Sequence, residues 1–117
     1  MNNGWKIGIA TVQQQRERAL AIAAGNRQAD VDGPTVWFPS MSVAARILSD
    51  ENLALLKVIR ETHPESIDAL AEAVGKQQPN VSRSLHAMAP YGLVRLVKKG
   101  RVVTPETTVE HVTMEML

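Results

Sequence analysis

Cysteine is absent from the 117 residues, which removes disulfides, thiolate metal ligands and thiol nucleophiles together. Aromatic residues are scarce, at 3% of the chain, so any core has to be built from aliphatic side chains and alanine. No apolar run approaches the roughly 20 residues needed to span a bilayer. The opening MNNGWKIGIA lacks the basic start and long apolar stretch of a secretion signal. A soluble cytoplasmic protein with no membrane partner is expected. No glycine-rich phosphate loop is present. The three histidines, His63, His86 and His111, stand far apart without a carboxylate pattern, so neither a metal site nor a cofactor is expected. Ser82 and His86 lie four residues apart, but no orienting acid or oxyanion signal accompanies them. An enzyme is not expected.

One further scarcity is local. Residues 1–75 carry seven Lys/Arg against nine Asp/Glu, whereas 76–101 carry six cations (Lys76, Arg83, Arg95, Lys98, Lys99, Arg101) and no acid. Acids return with Glu106, Glu110 and Glu115. A basic block in an otherwise slightly acidic chain is the footprint of a polyanion partner. A solvated surface that happens to lack acids would read the same way.

The chain divides by pattern. WKIGI at 5–9 reads as a strand. Thr11 opens a helix with Gln14 as capping-box partner, and Gly25 stops it. Residues 26–34 are polar, with Gly and Pro, and read as a loop. TVWF at 35–38 is a second strand, and Ser40 or Ser42 caps a short helix. From Ser49 a longer helix carries Leu53, Leu56 and Ile59 at helical spacing, with Leu55 and Val58 broadening the stripe, and it has to end near His63 because Pro64 follows. Ser66 caps the next helix, which stops at Gly75. A third runs from Gln78 to Met88, with Pro79 tolerated in its first turn and Val81, Leu85 and Met88 forming one narrow apolar face. LVRLV then reads as a strand, Lys98–Arg101 as a tight turn and VVT as the returning strand. In the tail, Val112, Met114 and Met116 alternate on one face of a final strand. The expected organisation is α+β, with an N-terminal strand–helix–strand extension over 1–48 and a second domain over 49–117 that includes the last strand.

Three helices followed by a hairpin describe a winged helix-turn-helix. The stretch from Ser66 to Leu96 resembles winged-helix transcriptional regulators of the ArsR and MarR type through Leu70, Ala71, Gly75, Val81, Ser82, Arg83, Leu85, Met88, Gly92, Leu93 and Val94. That resemblance covers about residues 50–104 and implies a DNA-binding function. The residues agree with it. Ala71 is small where two helices cross, and Gly75 permits the sharp turn. Gln78, Asn80, Ser82, Arg83 and His86 fall on the face left free by Val81 and Leu85. Asn and Gln can pair with adenine and Arg with guanine, while Ser82, Gln77 and the helix N-terminus suit phosphate oxygens. Lys76 completes the basic turn, and Lys98, Lys99 and Arg101 sit at the hairpin tip, where the resemblance implies a wing meeting the DNA backbone or minor groove. Solvated surface polarity is the plain alternative for each of these side chains.

Residues 1–48 exceed what a winged domain needs. Ile7, Ile9, Leu20, Ile22, Val36 and Trp37 are expected in a homodimer contact, in a partner contact, or in the core supporting it, because strands at both chain ends leave edges to cover. Trp5 and Trp37 read most simply as packing anchors. The whole arrangement also resembles small antitoxin-like winged-helix regulators. That resemblance implies repression of the protein's own operon and neutralisation of a small toxin of the RelE type.

Overall fold

The computed structural model describes residues 4–25, 36–107, 109 and 111–116. It is an α+β chain of two compact units, one comprising Asn2–Arg46 with His111–Leu117 and the other Ile47–Glu110. No helix among the described residues is long and apolar enough to cross a membrane.

The first unit holds β1 (Gly4–Ile9), α1 (Val12–Ala23), β2 (Val36–Phe38), α2 (Met41–Ile47, whose last residue begins the second unit) and β5 (His111–Met116). Its sheet has the order β2-β1-β5, with β1 parallel to both neighbours. Parallel pairing needs a long crossover rather than a tight turn. The passage from β1 to β2 contains α1, and β5 arrives from the far end of the chain. The capping box forms: Gln14 N–H donates to Thr11 Oγ1 at 3.1 Å, and Thr11 N–H donates to Gln14 Oε1 at 2.9 Å. Ser40 rather than Ser42 caps α2, accepting from Val43 N–H at 3.2 Å. Among the described residues, Ile7, Ala10, Phe38 and Ala44 are the buried apolar residues of this unit.

The second unit holds α3 (Asp50–Thr62), α4 (Ile67–Val74), α5 (Gln78–Met88), a 3-10 turn (Ala89–Tyr91), β3 (Arg95–Lys99) and β4 (Val102–Glu106). Ser49 and Ser66 cap their helices as expected, accepting from Asn52 N–H and Ala69 N–H. Between helices the chain turns through left-handed residues. One is Gly75 at φ 69°; another is His63 at φ 47°, a conformation that costs a non-glycine residue roughly 1–2 kcal/mol. The core is aliphatic: Leu55, Leu56 and Ile59 of α3, Ile67, Leu70 and Ala71 of α4, Val81, Leu85 and Met88 of α5, then Leu93 and Val94.

Four expectations are corrected. The final strand was placed with the winged-type half, but β5 pairs with β1 from Gly4 opposite His111 to Ile9 opposite Met116, inside the first unit. The chain's first and last strands therefore pair with one another, with β5 at the edge of the sheet. Of the expected α3 stripe, Leu55, Leu56 and Ile59 are buried but Leu53 is exposed, and Asn52 takes the inward position beside them. Asn52 can be buried because its side-chain amide donates to the Ile47 carbonyl at 2.9 Å. Lys98 and Lys99 belong to β3 rather than the turn, which is Gly100-Arg101 alone. Finally, β4 continues past Thr104 to Glu106. The expected loop at 26–34 and the side chains of Trp5 and His111 lie outside the described residues.

Gly75 gives a direct test of the α4–α5 turn. A Cβ there would meet nothing within 4 Å, so Gly75→Ala carries only the conformational cost of positive φ. The expected loss is about 1–2 kcal/mol, measured as a lower urea midpoint with an unchanged slope.

Candidate functional site

The site follows from how α5 is held. Val81, Leu85 and Met88 are at most 1% exposed, and at 3.6 residues per turn they form one stripe down the helix. Geometry then places Pro79, Arg83 and His86 opposite that stripe, flanked by Asn80 and Ser82. Asn80, Arg83 and His86 are exposed and Ser82 is half-buried. Gln77 is the N-cap but makes no side-chain capping bond. Pro79 has no N–H to offer, and the Asn80 and Val81 N–H groups both donate to the Gln77 carbonyl, at 3.1 and 3.2 Å. Gln78 begins the helix on its flank. Gln77, Gln78, Asn80, Ser82, Arg83 and His86 therefore share one helix and its leading turn.

Their local contacts are short-range. Arg83 Nη1 donates to Asn80 Oδ1 at 3.4 Å, and no acid pairs with Arg83 among the described residues. His86 Nδ1 donates to the Ser82 carbonyl at 2.8 Å. Lys76, by contrast, is held by Glu51 of α3 in a salt bridge.

The hairpin carries the remaining cations. Lys99 pairs with Val102 across a two-residue turn in which Gly100 supplies φ 66°, the glycine-first arrangement of a tight hairpin. That register sets Arg95 opposite Glu106, and Arg95 Nη2 donates to Glu106 Oε2 at 2.6 Å. Lys99 Nζ lies 3.9 Å from the other carboxylate oxygen. Lys98 and Arg101 are exposed and have no acidic partner among the described residues. An open cleft of about 880 Å³ lies beside the hairpin, with Arg95 and Lys99 facing it together with Glu65 and Glu106. Its charges balance, so the positive charge of residues 76–101 that no acid pairs with sits on α5 and at the hairpin tip.

Sequence reasoning missed this neutralisation. Acids from outside the basic block reach three of its six cations: Glu51 at Lys76, and Glu106 at Arg95 and Lys99. The second case had a signal. Once Gly100-Arg101 is taken as a two-residue turn, counting back along the strands sets 95 against 106.

The residues proposed for a dimer or partner contact divide by exposure. Ile7 is fully buried within the chain and can only support a contact, whereas Leu20 is 62% exposed. Ile9, Ile22, Val36 and Trp37 are half-buried. The Arg18 guanidinium sits 5.3 Å from the centroid of the Trp37 ring, a cation–π contact worth about 0.5–1 kcal/mol at an exposed site.

An α+β chain with a helix-and-hairpin unit bearing an exposed polar and cationic face is the class the coordinates define. Residues 47–113, more than half of the chain, match the HVO_A0114 family, and the chain belongs to that family. No curated protein matches it.

The Arg95 hydrogen bond holds the Glu106 carboxyl below the ordinary glutamate range, against some desolvation and with help from the charges of Arg95 and Lys99. A carboxylate with a depressed folded-state pKa stabilises the fold above its unfolded pKa, and this contribution disappears as pH falls through the folded value. Arg95→Gln is expected to raise the Glu106 midpoint, followed by carboxyl ¹³C shifts. It should also weaken that acid-side loss of stability.

Proposed function

We propose that the chain is a sequence-specific DNA-binding protein of the winged helix-turn-helix type, acting as a dimeric transcriptional repressor. In this reading α4 and α5 are the helix-turn-helix, α5 enters the major groove, and β3–β4 is the wing. The observation that carries it is the two-sidedness of α5. One side is sealed into the core by Val81, Leu85 and Met88, and the other offers Asn80, Ser82, Arg83 and His86 to solvent. A rigidly held helix with exposed Asn and Arg suits base edges, because each good bidentate pair is worth about 1–3 kcal/mol of discrimination. Lys98 and Arg101 favour the DNA backbone beside the groove.

Fluorescence anisotropy with DNA from upstream of the reading frame, against scrambled DNA across a salt series, tests this reading. Selective binding that falls steeply with salt is expected; equal weak binding, or none, would overturn it. Asn80→Ala and Arg83→Ala should each lower affinity for the operator by about 1–3 kcal/mol and relax selectivity. Replacing Lys98 and Arg101 together should weaken binding to all DNA alike and flatten the log–log salt slope by about 2. Lys99→Ala should do less, since Glu106 already compensates part of its charge.

A second reading, an antitoxin that neutralises a RelE-like toxin and represses its own operon, draws on α1. No described residue of that helix is buried, and Val12 and Leu20 are both more than 60% exposed. Apolar side chains left in water on a 12-residue helix favour a protein partner, either a second copy or a small toxin. Sedimentation at tens of micromolar should give a dimer that Leu20→Asp dissociates. A wild-type monomer would remove the dimeric form of the proposal, and a co-purifying small protein would then decide for the antitoxin.

A further inference from the structure

The arrangement of His86 bears on which base edges α5 could read. Its Nδ1 lies 2.8 Å from the backbone carbonyl oxygen of Ser82, one turn earlier on the helix. A carbonyl oxygen only accepts, so the shared proton belongs to Nδ1. The Ser82 hydroxyl oxygen is 3.4 Å from the same nitrogen, a longer contact on the same side of the ring. A neutral imidazole has one donor nitrogen and one acceptor nitrogen, and the bond made by one sets the role of the other. With Nδ1–H committed to the helix's own backbone, Nε2 carries the free lone pair. It sits across the ring from that tether, on a side chain that is exposed. Among the described residues Nε2 has no partner.

We propose that His86 is a specificity residue that accepts a hydrogen bond at Nε2 from an exocyclic amino group, adenine N6 or cytosine N4. This rests on the DNA-binding reading above and adds to it the chemistry of one contact. In the major groove those amino groups are the donors, whereas guanine N7 and O6 and thymine O4 are acceptors that would set lone pair against lone pair. Arg83 has only donors and stands three residues earlier, about 4.5 Å along the helix axis. That offset is on the scale of one base-pair step, about 3.4 Å. The two side chains therefore present opposite hydrogen-bonding polarity from neighbouring positions of one helix face, with Arg83 suited to guanine acceptors and His86 to an amino donor. The Ser82 tether also limits rotation of the ring, which reduces the rotamer freedom lost on contact.

The test uses the full chain at pH 8.5 and selection from a randomised duplex library, with wild type and His86→Ala in parallel. The variant is expected to lose preference at a single base pair while the rest of the motif persists. At that pair the amino group is then replaced by hydrogen, using purine for adenine or 2-pyrimidinone for cytosine. Wild-type affinity should fall by roughly fivefold, the scale of one net hydrogen bond, with almost no change for His86→Ala. An equal loss in both proteins, or a motif the variant leaves unchanged, would overturn the role of His86 while leaving DNA binding intact. If wild type enriches no motif, the DNA reading fails and this proposal fails with it. The tether has a readout that needs no DNA. Long-range ¹H–¹⁵N correlation of the free protein should show Nδ1 protonated and Nε2 bare, and the opposite tautomer would overturn the assignment.

Discussion

Burial of one narrow stripe, Val81, Leu85 and Met88, is the constraint on which the second unit turns. A helix of 11 residues is marginal by itself in water, so α5 exists because that stripe is taken into the aliphatic core with Leu70, Ala71 and Leu93. The same burial determines which residues stay outside. Once 81, 85 and 88 point inward, helical geometry leaves Pro79, Arg83 and His86 pointing away. The polar face of the candidate site is thus a by-product of core packing, and its rigidity comes from the core. Truncating Leu85 would cost about 2–5 kcal/mol as a buried cavity and would disturb Arg83 and His86 without touching them.

Electrostatics is rearranged by the fold more than the linear charge pattern suggests. Six cations without an acid look like one positive block, yet Glu51 and Glu106 draw Lys76, Arg95 and Lys99 into pairs. What remains unpaired is narrower: Arg83 on the helix, and Lys98 with Arg101 at the hairpin tip. These lie on the elements to which the proposed DNA contacts were assigned. Exposed pairs of this kind contribute little to stability; their consequence is to set where the uncompensated charge lies.

The first unit shows a different economy. A parallel three-stranded sheet leaves unpaired backbone groups on its outer strands, and here the chain's own last strand supplies one side of β1. α1 has no buried residue among those described, and its contacts with its surroundings are polar: Gln15 donates to the Ala10 carbonyl at 2.8 Å and Arg18 lies over Trp37. It keeps Val12 and Leu20 in water. A helix so arranged gains little from its own packing, which is why a protein partner enters the functional proposal.

Local elements were legible in the residues because their causes are local. Thr11 with Gln14, Ser49, Ser66 and Gly75 stop or start helices through bonds and dihedrals spanning a few residues, and the 78–88 helix was bounded by Pro79 and its apolar period. The α+β class followed from the change of period after Gly92. Alternation in 111–116 announced a strand but could not name β1 as its partner, because pairing across about a hundred residues leaves no local trace. Nor could it give the Glu51–Lys76 contact, which depends on how α3 passes the α4–α5 turn. Propensity, capping and periodicity were thus written in the sequence. The Ser82–His86 tether lies within one helix and follows from a side-chain rotamer, whereas the strand partners of the first unit and the pairing of Lys76 with Glu51 were decided by tertiary structure, since they depend on which groups three-dimensional packing brings within about 3–4 Å.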